Sequence, residues 1–120
     1  MSMKLYGIAN CSTVKKARQW LADRNQEIAF HDFKKAGIER GLIEHWLEKM
    51  DWQDLVNKKG TTWRQLDDAE KAAVQDTASA IELMLKKPSV IKRPVLESGN
   101  RIVVGFDENK FSEMIRNEHA

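Results

Sequence analysis

The fold is decided near the amino terminus, where residues 3–33 read MKLYGIANCSTVKKARQWLADRNQEIAFHDF. Residues 3–8 form a short apolar run that is typical of a buried strand, and residues 27–33 predict a second strand. Between them, over residues 12–25, apolar side chains recur at helical spacing: Val14, Ala17, Leu21 and Ala22. A strand, a helix and a strand within about thirty residues indicate a βαβ unit with parallel strands.

The middle of the chain, about residues 37–87, predicts a helical insertion. One apolar stripe at helical spacing comprises Ile38, Leu42, Ile43, Trp46, Leu47 and Met50. Residues 57–62 are polar and contain a glycine, which favours a loop. Residues 68–75 and 76–87 predict two more helices, and Pro88 ends the second of them.

The carboxyl-terminal part of the chain predicts two more strands and a last helix. Residues 90–96 and 101–106 have the composition of strands, and residues 98–100 (Ser-Gly-Asn) between them are typical of a hairpin turn. Asp107 is expected to cap the helix that follows.

The order of these elements, βαβ then helices then ββα, predicts an α/β protein with a thioredoxin-like (glutaredoxin-like) core. The core comprises about residues 1–36 and 88–120, and the helical subdomain of residues 37–87 is inserted between them. A chain of 120 residues with 42% hydrophobic side chains is long enough for one hydrophobic core, so we expect a single domain over residues 1–120.

Charge and cysteine content exclude several classes of protein. Twenty Lys and Arg against eighteen Asp and Glu leave a net charge of +2, which does not indicate a dedicated nucleic-acid-binding or membrane-surface protein. The single cysteine excludes an internal disulfide, and the histidines lack metal-ligand spacing: His31, His45 and His119. Asn10 interrupts the apolar amino terminus before a signal peptide can form, and no apolar run has membrane-spanning length. We therefore expect a cytoplasmic monomer with no metal and no bound cofactor.

Cys11 is the candidate nucleophile because it lies where the first strand ends and the first helix begins. Unpaired backbone N–H groups and the helix dipole favour a thiolate there, and Lys15 adds a positive charge one turn further on. The polar neighbours Asn10, Ser12 and Thr13 favour an accessible thiol over the alternative, a buried and inert cysteine. Since no second cysteine exists to resolve a disulfide, any redox cycle requires an outside thiol.

Arg93 and Pro94 precede the third strand of the proposed core. The pairing of strands would bring Arg93 towards the start of the first helix, where its guanidinium could hold a carboxylate or an oxyanion. A peptide bond before proline can be cis, and the resemblance to the thioredoxin-like fold implies a cis bond before Pro94, close to Cys11. A solvent-exposed strand end is the alternative interpretation of this segment.

Lys58 and Arg64 flank a glycine-containing segment in the helical middle. They could form the lip of an anion-binding site with Trp63 as an aromatic wall. A charged, solvent-exposed face with Trp63 in the core is the alternative, and the spacing alone favours that alternative.

Together these segments resemble the arsenate reductase (ArsC) family. The resemblance is carried by residues 5–8 (Leu-Tyr-Gly-Ile) leading to residues 10–13 (Asn-Cys-Ser-Thr), and by residues 91–95 (Ile-Lys-Arg-Pro-Val) followed by residues 104–106 (Val-Gly-Phe). Within that family the chain is most similar to the branch of YffB-type proteins and Spx regulators, and residues 55–64 and the lone thiol resemble the YffB-type proteins most closely. The resemblance implies a thioredoxin-like fold with a helical insertion.

The same resemblance implies roles for two residues of this chain. Two of the family's oxyanion-binding arginines have no match in it. Cys11 matches the family's nucleophile, and Arg93 matches one of three arginines that hold the oxyanion. Asn57 stands where the first arginine would be, and residues 103–105 contain no arginine at the third position. Since each missing guanidinium removes charge-assisted hydrogen bonds of about 1.5–3 kcal/mol, we expect little or no arsenate reduction.

Two classes of function follow from these features. The first is a glutathione-dependent thiol reductase or transferase, with Cys11 as nucleophile, Arg93 on a carboxylate of glutathione, a main-chain edge at Pro94, and Arg64 or Lys58 on the second carboxylate. The second is a Spx-like regulatory protein that binds RNA polymerase. Within the enzyme class, a glutaredoxin-coupled arsenate reductase is a further alternative. Each enzyme hypothesis names a thiol partner, either glutathione or glutaredoxin.

Overall fold

The elements of the chain follow the predicted order in the computed structural model, which describes residues 3–118. They are β1 (Met3–Gly7), α1 (Ser12–Asp23), β2 (Ile28–Asp32), α2 (Arg40–Leu47), α3 (Trp52–Leu55), α4 (Thr61–Arg64), α5 (Asp68–Ala72), α6 (Thr77–Lys86), a 3-10 turn (Pro88–Val90), β3 (Val95–Ser98), β4 (Arg101–Val104) and α7 (Glu108–Glu118). His119, one of the three histidines considered for metal binding, lies outside the described residues.

The chain divides into two compact units. One contains the residues up to Ala36 and those from Arg93 onward, and the other is Gly37–Lys92. Residues 88–92 therefore belong to the inserted unit, which the sequence predicted to end at about residue 87.

The first unit is built on one sheet of four strands in the order β2-β1-β3-β4. β1 runs parallel to β2 and antiparallel to β3, so Tyr6 lies opposite both His31 and Val95. β3 and β4 form a hairpin whose turn contains Gly99 with a φ of 60°, a conformation that glycine adopts without strain. This pairing confirms the predicted thioredoxin-like α/β core and places the end of β1 beside the start of β3.

The core of the first unit lies where one face of the sheet packs against α1 and α7. Side chains alternate between the faces of a strand, so Met3 and Leu5 of β1 and Leu96 of β3 share this face. The helices contribute buried side chains to the same cluster: Ala17, Trp20, Leu21, Phe111 and Met114. Burying one large apolar side chain contributes about 1.5–3 kcal/mol, so this cluster holds both helices on the sheet.

Gly7 allows α1 to approach the end of β1 closely. A Cβ atom added at Gly7 would lie 2.8 Å from Cγ2 of Val14, which is buried in the first turns of α1. Real Cβ atoms do not approach so closely, so only glycine fits at this position without displacing the Val14 side chain.

Carboxylates cap helices in both units. In the first unit Asp107 Oδ1 accepts a hydrogen bond from the Lys110 N–H at 3.0 Å, which confirms the predicted cap of α7. In the second unit Asp76 Oδ1 accepts from the Ser79 N–H at 2.9 Å and caps α6. Each cap satisfies a donor that a helix leaves without an intrahelical partner.

Backbone contacts join the middle of the second unit to its carboxyl-terminal end. The Lys92 N–H donates to the Leu55 carbonyl oxygen at 2.8 Å, and the Asn57 N–H donates to the Val90 carbonyl oxygen at 2.8 Å. Its fully buried side chains include Ile43, Trp46, Leu55, Val56, Met84 and Ile91.

The predicted strand over residues 90–96 is wrong at its start. The N–H groups of Val90 and Ile91 donate to the carbonyl oxygens of Lys87 and Pro88, so the chain turns there instead of extending. Because Pro94 has no N–H to donate, β3 begins only at the next residue.

The predicted loop over residues 57–62 is wrong at its end. Asn57 Oδ1 accepts from the Lys59 N–H at 3.1 Å, which forms a side-chain turn. The Arg64 N–H then donates to the Gly60 carbonyl oxygen at 3.1 Å, so α4 already starts at Thr61.

Candidate active site

Cys11 occupies the N-cap position of α1, directly after the turn that follows β1. Its φ and ψ of −83° and 127° are extended, and its carbonyl oxygen accepts from the Lys15 N–H at 3.0 Å. The Cys11 N–H donates to the Ile8 carbonyl oxygen at 3.1 Å, which closes the turn. The side chain is half-buried, as expected of an accessible thiol at the amino end of the first helix.

The surroundings of Cys11 lower the pKa of its thiol. Burial is the largest single influence and raises the pKa, but several donors together outweigh it. Although the sulfur is not a formal capping acceptor, hydrogen bonding from the N–H groups of Val14 and Thr13 favours the thiolate. The Arg93 side chain adds both a hydrogen bond and a positive charge. A lowered pKa makes a cysteine more nucleophilic near neutral pH.

Arg93 reaches Cys11 from the segment that leads into β3. The peptide bond between Arg93 and Pro94 is cis, which confirms that prediction, and the side-chain contact with Cys11 places the segment beside the thiol. Pro94 is buried, and its carbonyl oxygen accepts from the Gly105 N–H at 2.8 Å, so this oxygen is engaged in extending the hairpin.

The carboxylate of Asp32 contacts the turn that carries Cys11, and the sequence did not single it out. Asp32 Oδ2 accepts from the Ala9 N–H at 3.1 Å, while Oδ1 accepts from the N–H groups of Lys34 and Lys35 at 2.9 and 3.2 Å. Desolvation is the largest single influence on this carboxyl and raises its pKa, but the three N–H groups and the charge of Lys35 together lower it. No local pattern of the sequence indicates this contact, because Ala9 and Asp32 lie 23 residues apart in the chain.

The other predicted site residues of the first unit surround the thiol along the chain. Asn10, Ser12 and Thr13 are exposed on either side of Cys11, and the Lys15 side chain is exposed one turn into α1. The structure therefore brings Arg93 to the sulfur and leaves these polar side chains open to solvent nearby.

Lys58 and Arg64 lie in the second unit. The Lys58 ammonium lies 5.2 Å from the ring centre of Trp52 and 5.5 Å from that of Trp63, so both aromatic faces attract it. Arg64 Nη2 donates to the Lys59 carbonyl oxygen at 2.8 Å. Both basic side chains thus make contacts within their own segment, and their role in ligand binding stays a prediction.

Within residues 3–118, no group of three or more His, Cys, Asp and Glu side chains is placed to hold a metal ion. None of the described helices has the length and apolar character needed to cross a membrane.

A four-stranded sheet of this order, with a cysteine at the N-cap position of its first helix and a cis proline beside that cysteine, is that of a thioredoxin-like protein. Within that class, the chain belongs to the ArsC family, whose model matches residues 6–114.

Relatives and solved structures agree with this assignment. An uncharacterized protein of Haemophilus influenzae is 38% identical over 107 residues, covering 89% of this chain and 93% of the relative. The global transcriptional regulator Spx of Streptococcus pyogenes is 23% identical, covering 92% of this chain and 82% of the relative. A solved YFFB protein is 48% identical with a TM-score of 0.89, covering 93% and 97% of the two chains. An arsenate reductase (ArsC) related protein from Brucella melitensis is 44% identical with a TM-score of 0.75, covering 94% and 93%.

Proposed function

We propose that this chain is a cytoplasmic, glutathione-dependent thiol reductase or transferase in which Cys11 is the nucleophile. The observation that carries the proposal is the convergence of the Arg93 side chain and the backbone N–H groups of Val14 and Thr13 on one accessible sulfur. An inert structural cysteine needs neither a lowered pKa nor an arginine beside it.

The proposed reaction is thiol–disulfide exchange on a mixed disulfide between glutathione and a substrate thiol. The Cys11 thiolate attacks the glutathionyl sulfur, the old S–S bond breaks, and the substrate leaves as a thiolate that takes a proton from solvent. Reduced glutathione, as its thiolate, then attacks the Cys11–glutathione disulfide, which restores the Cys11 thiolate and yields oxidised glutathione. The single cysteine of the sequence makes this outside thiol necessary.

Polar groups around Cys11 would bind the charged parts of glutathione. The Arg93 guanidinium offers several donors, so it can serve the thiolate and a ligand carboxylate together. Asn10, Ser12, Thr13 and Lys15 offer exposed polar groups on the approach to the sulfur. Lys58 and Arg64 remain candidates for the second carboxylate, and the backbone next to Pro94 is the candidate for a main-chain contact.

The proposal is tested by exposing the wild type and the C11S variant to oxidised glutathione and weighing the intact proteins. We expect the wild type to gain one glutathionyl group and to lose it again with reduced glutathione, while C11S gains none. Turnover of a glutathionylated peptide should then require Cys11. A wild-type protein that neither takes up glutathione nor turns over this substrate would contradict the proposal.

Arsenate reduction coupled to glutaredoxin and glutathione is the alternative enzyme activity. We expect it to be weak or absent because Asn57 and Val104 supply no guanidinium to an arsenate dianion. Brisk arsenate turnover would show that other basic residues replace the missing arginines.

A regulatory protein that binds RNA polymerase is the second candidate function, and the alignment with Spx over 92% of this chain supports it. The test is co-elution of the protein with purified RNA polymerase in size-exclusion chromatography. The C11S variant, run in the same way, shows whether binding requires the thiol. Co-elution of both proteins, without glutathione uptake by the wild type, would favour this function over the enzyme.

A further inference from the structure

The Asp32 side chain joins two loops, one after β1 and one after β2, at the carboxyl ends of these parallel strands. In the parallel register of β1 and β2 it lies opposite Gly7, and the ladder continues where the Phe33 N–H donates to the Gly7 carbonyl oxygen at 3.0 Å. Beyond that point the two chains separate, and the Asp32 side chain bridges them. One carboxylate oxygen accepts from Ala9 after β1, and the other accepts from Lys34 and Lys35 after β2.

The bridge ends two residues before the thiol. Ala9 belongs to the turn that is closed by the Cys11 N–H donating to the Ile8 carbonyl oxygen. Hence the position of Cys11 is set from three directions: by its own turn, by the start of α1 and by the carboxylate that holds Ala9.

We infer that Asp32 is a positioning residue for Cys11, because its carboxylate holds the turn of residues 8–11 in the place where the sulfur meets the Val14 N–H and Arg93. Asp32 acts on the sulfur through its hydrogen bond with Ala9. The inference concerns the thiolate that the proposed function requires, and it is measured without any glutathione chemistry.

The sign of the effect separates positioning from simple electrostatics. Removing a negative charge near a thiol stabilises the thiolate, so charge loss alone would lower the pKa of Cys11 and speed its alkylation at acidic pH. Loss of position has the opposite sign, because a displaced sulfur loses the N–H and guanidinium donors that lower its pKa. The positive charge of Arg93 lowers the pKa of this thiol.

The experiment compares D32N and D32A with the wild type by the rate of iodoacetamide alkylation from acidic to alkaline pH. D32N keeps one acceptor oxygen for the Lys34 turn but presents an amide to Ala9, so it removes the bridge with little change in shape. We expect alkylation at pH 6 to be about threefold slower than wild type in D32N and slower still in D32A. D107N is the matched control, since it weakens a capping carboxylate of the same unit whose hydrogen bond is to the Lys110 N–H in α7.

Two results would overturn the inference. One is D32N alkylation that is unchanged or faster at acidic pH in protein that remains folded by circular dichroism. The other is an equal slowing in D107N, which would assign the effect to general loss of stability. If instead the alkylation profile shifts as expected while glutathione uptake fails in the wild type, the positioning role stands and the proposed function falls.

Discussion

The contact between Arg93 and Cys11 gives the most quantitative test of the candidate site. A hydrogen bond to a charged group contributes about 1.5–3 kcal/mol when both partners are withdrawn from water. Cys11 is half-buried, so solvent screening reduces the contribution to about 1 kcal/mol. Since about 1.4 kcal/mol corresponds to a factor of ten, R93Q should lower the thiolate fraction about fivefold at pH values below the thiol pKa.

The rate of alkylation should change less than the thiolate fraction. A thiolate of higher pKa is intrinsically more nucleophilic, with a Brønsted slope of about 0.4–0.5. R93Q should therefore react about 2.5-fold more slowly than the wild type at acidic pH and about twofold faster above both pKa values. The two pH profiles cross. Iodoacetamide is the suitable reagent because it is uncharged, so losing the guanidinium does not alter its approach.

Two further variants separate charge from geometry. R93K keeps the charge without the planar fork of donors, so its profile should lie between those of the wild type and R93Q. R24Q removes an arginine at the far end of α1, where the guanidinium lies 3.7 Å above the Trp20 ring, and its profile should match the wild type. Profiles of R93Q and wild type that run parallel at all pH values would refute the role given to Arg93.

Two more predictions concern stability. G7A should lose about 1–3 kcal/mol in urea unfolding because the added Cβ meets Val14 at 2.8 Å. G41A, where the Cβ meets nothing within 4 Å, should lose nothing, and an equal loss in both would contradict the packing argument. The Ser79 N–H and hydroxyl lower the pKa of Asp76, so Asp76 stabilises the fold above its unfolded pKa of about 3.9, and this stability is lost as pH falls through the folded pKa. Melting temperatures of wild type and D76N should thus differ at neutral pH and converge in acid, whereas a difference that persists at about pH 2 would refute this.

The order of the elements could be predicted because each relies on local patterns. The apolar alternation of β1, the helical spacing of α1 and the Ser-Gly-Asn turn are readable within short windows of sequence. The start of β3 could not be predicted in the same way. Val90 and Ile91 are apolar like strand residues, but they are buried in the second unit, where Ile91 pairs with Val56. Apolar composition reports burial and does not distinguish a strand from a buried turn.

The candidate site was predictable in part for the same reason. The place of Cys11 follows from two adjacent elements, whereas the contact of Arg93 with it depends on which strands pair, so two interpretations of Arg93 stayed open until the fold was known. Asp32 could not be assigned at all. Its partner Ala9 lies 23 residues away in the chain, and only the register of the two parallel strands brings them together.

The pairing of β1 with β3 has a consequence for how the chain folds. The paired residues are about 90 positions apart, and closing so long a loop costs entropy that local helices do not have to overcome. The inserted unit reduces this cost, because the contacts of Leu55 and Asn57 with residues 90–92 shorten the effective loop once they have formed. The helical insertion should therefore gain amide protection early in folding, and the sheet that presents the thiol should be completed last.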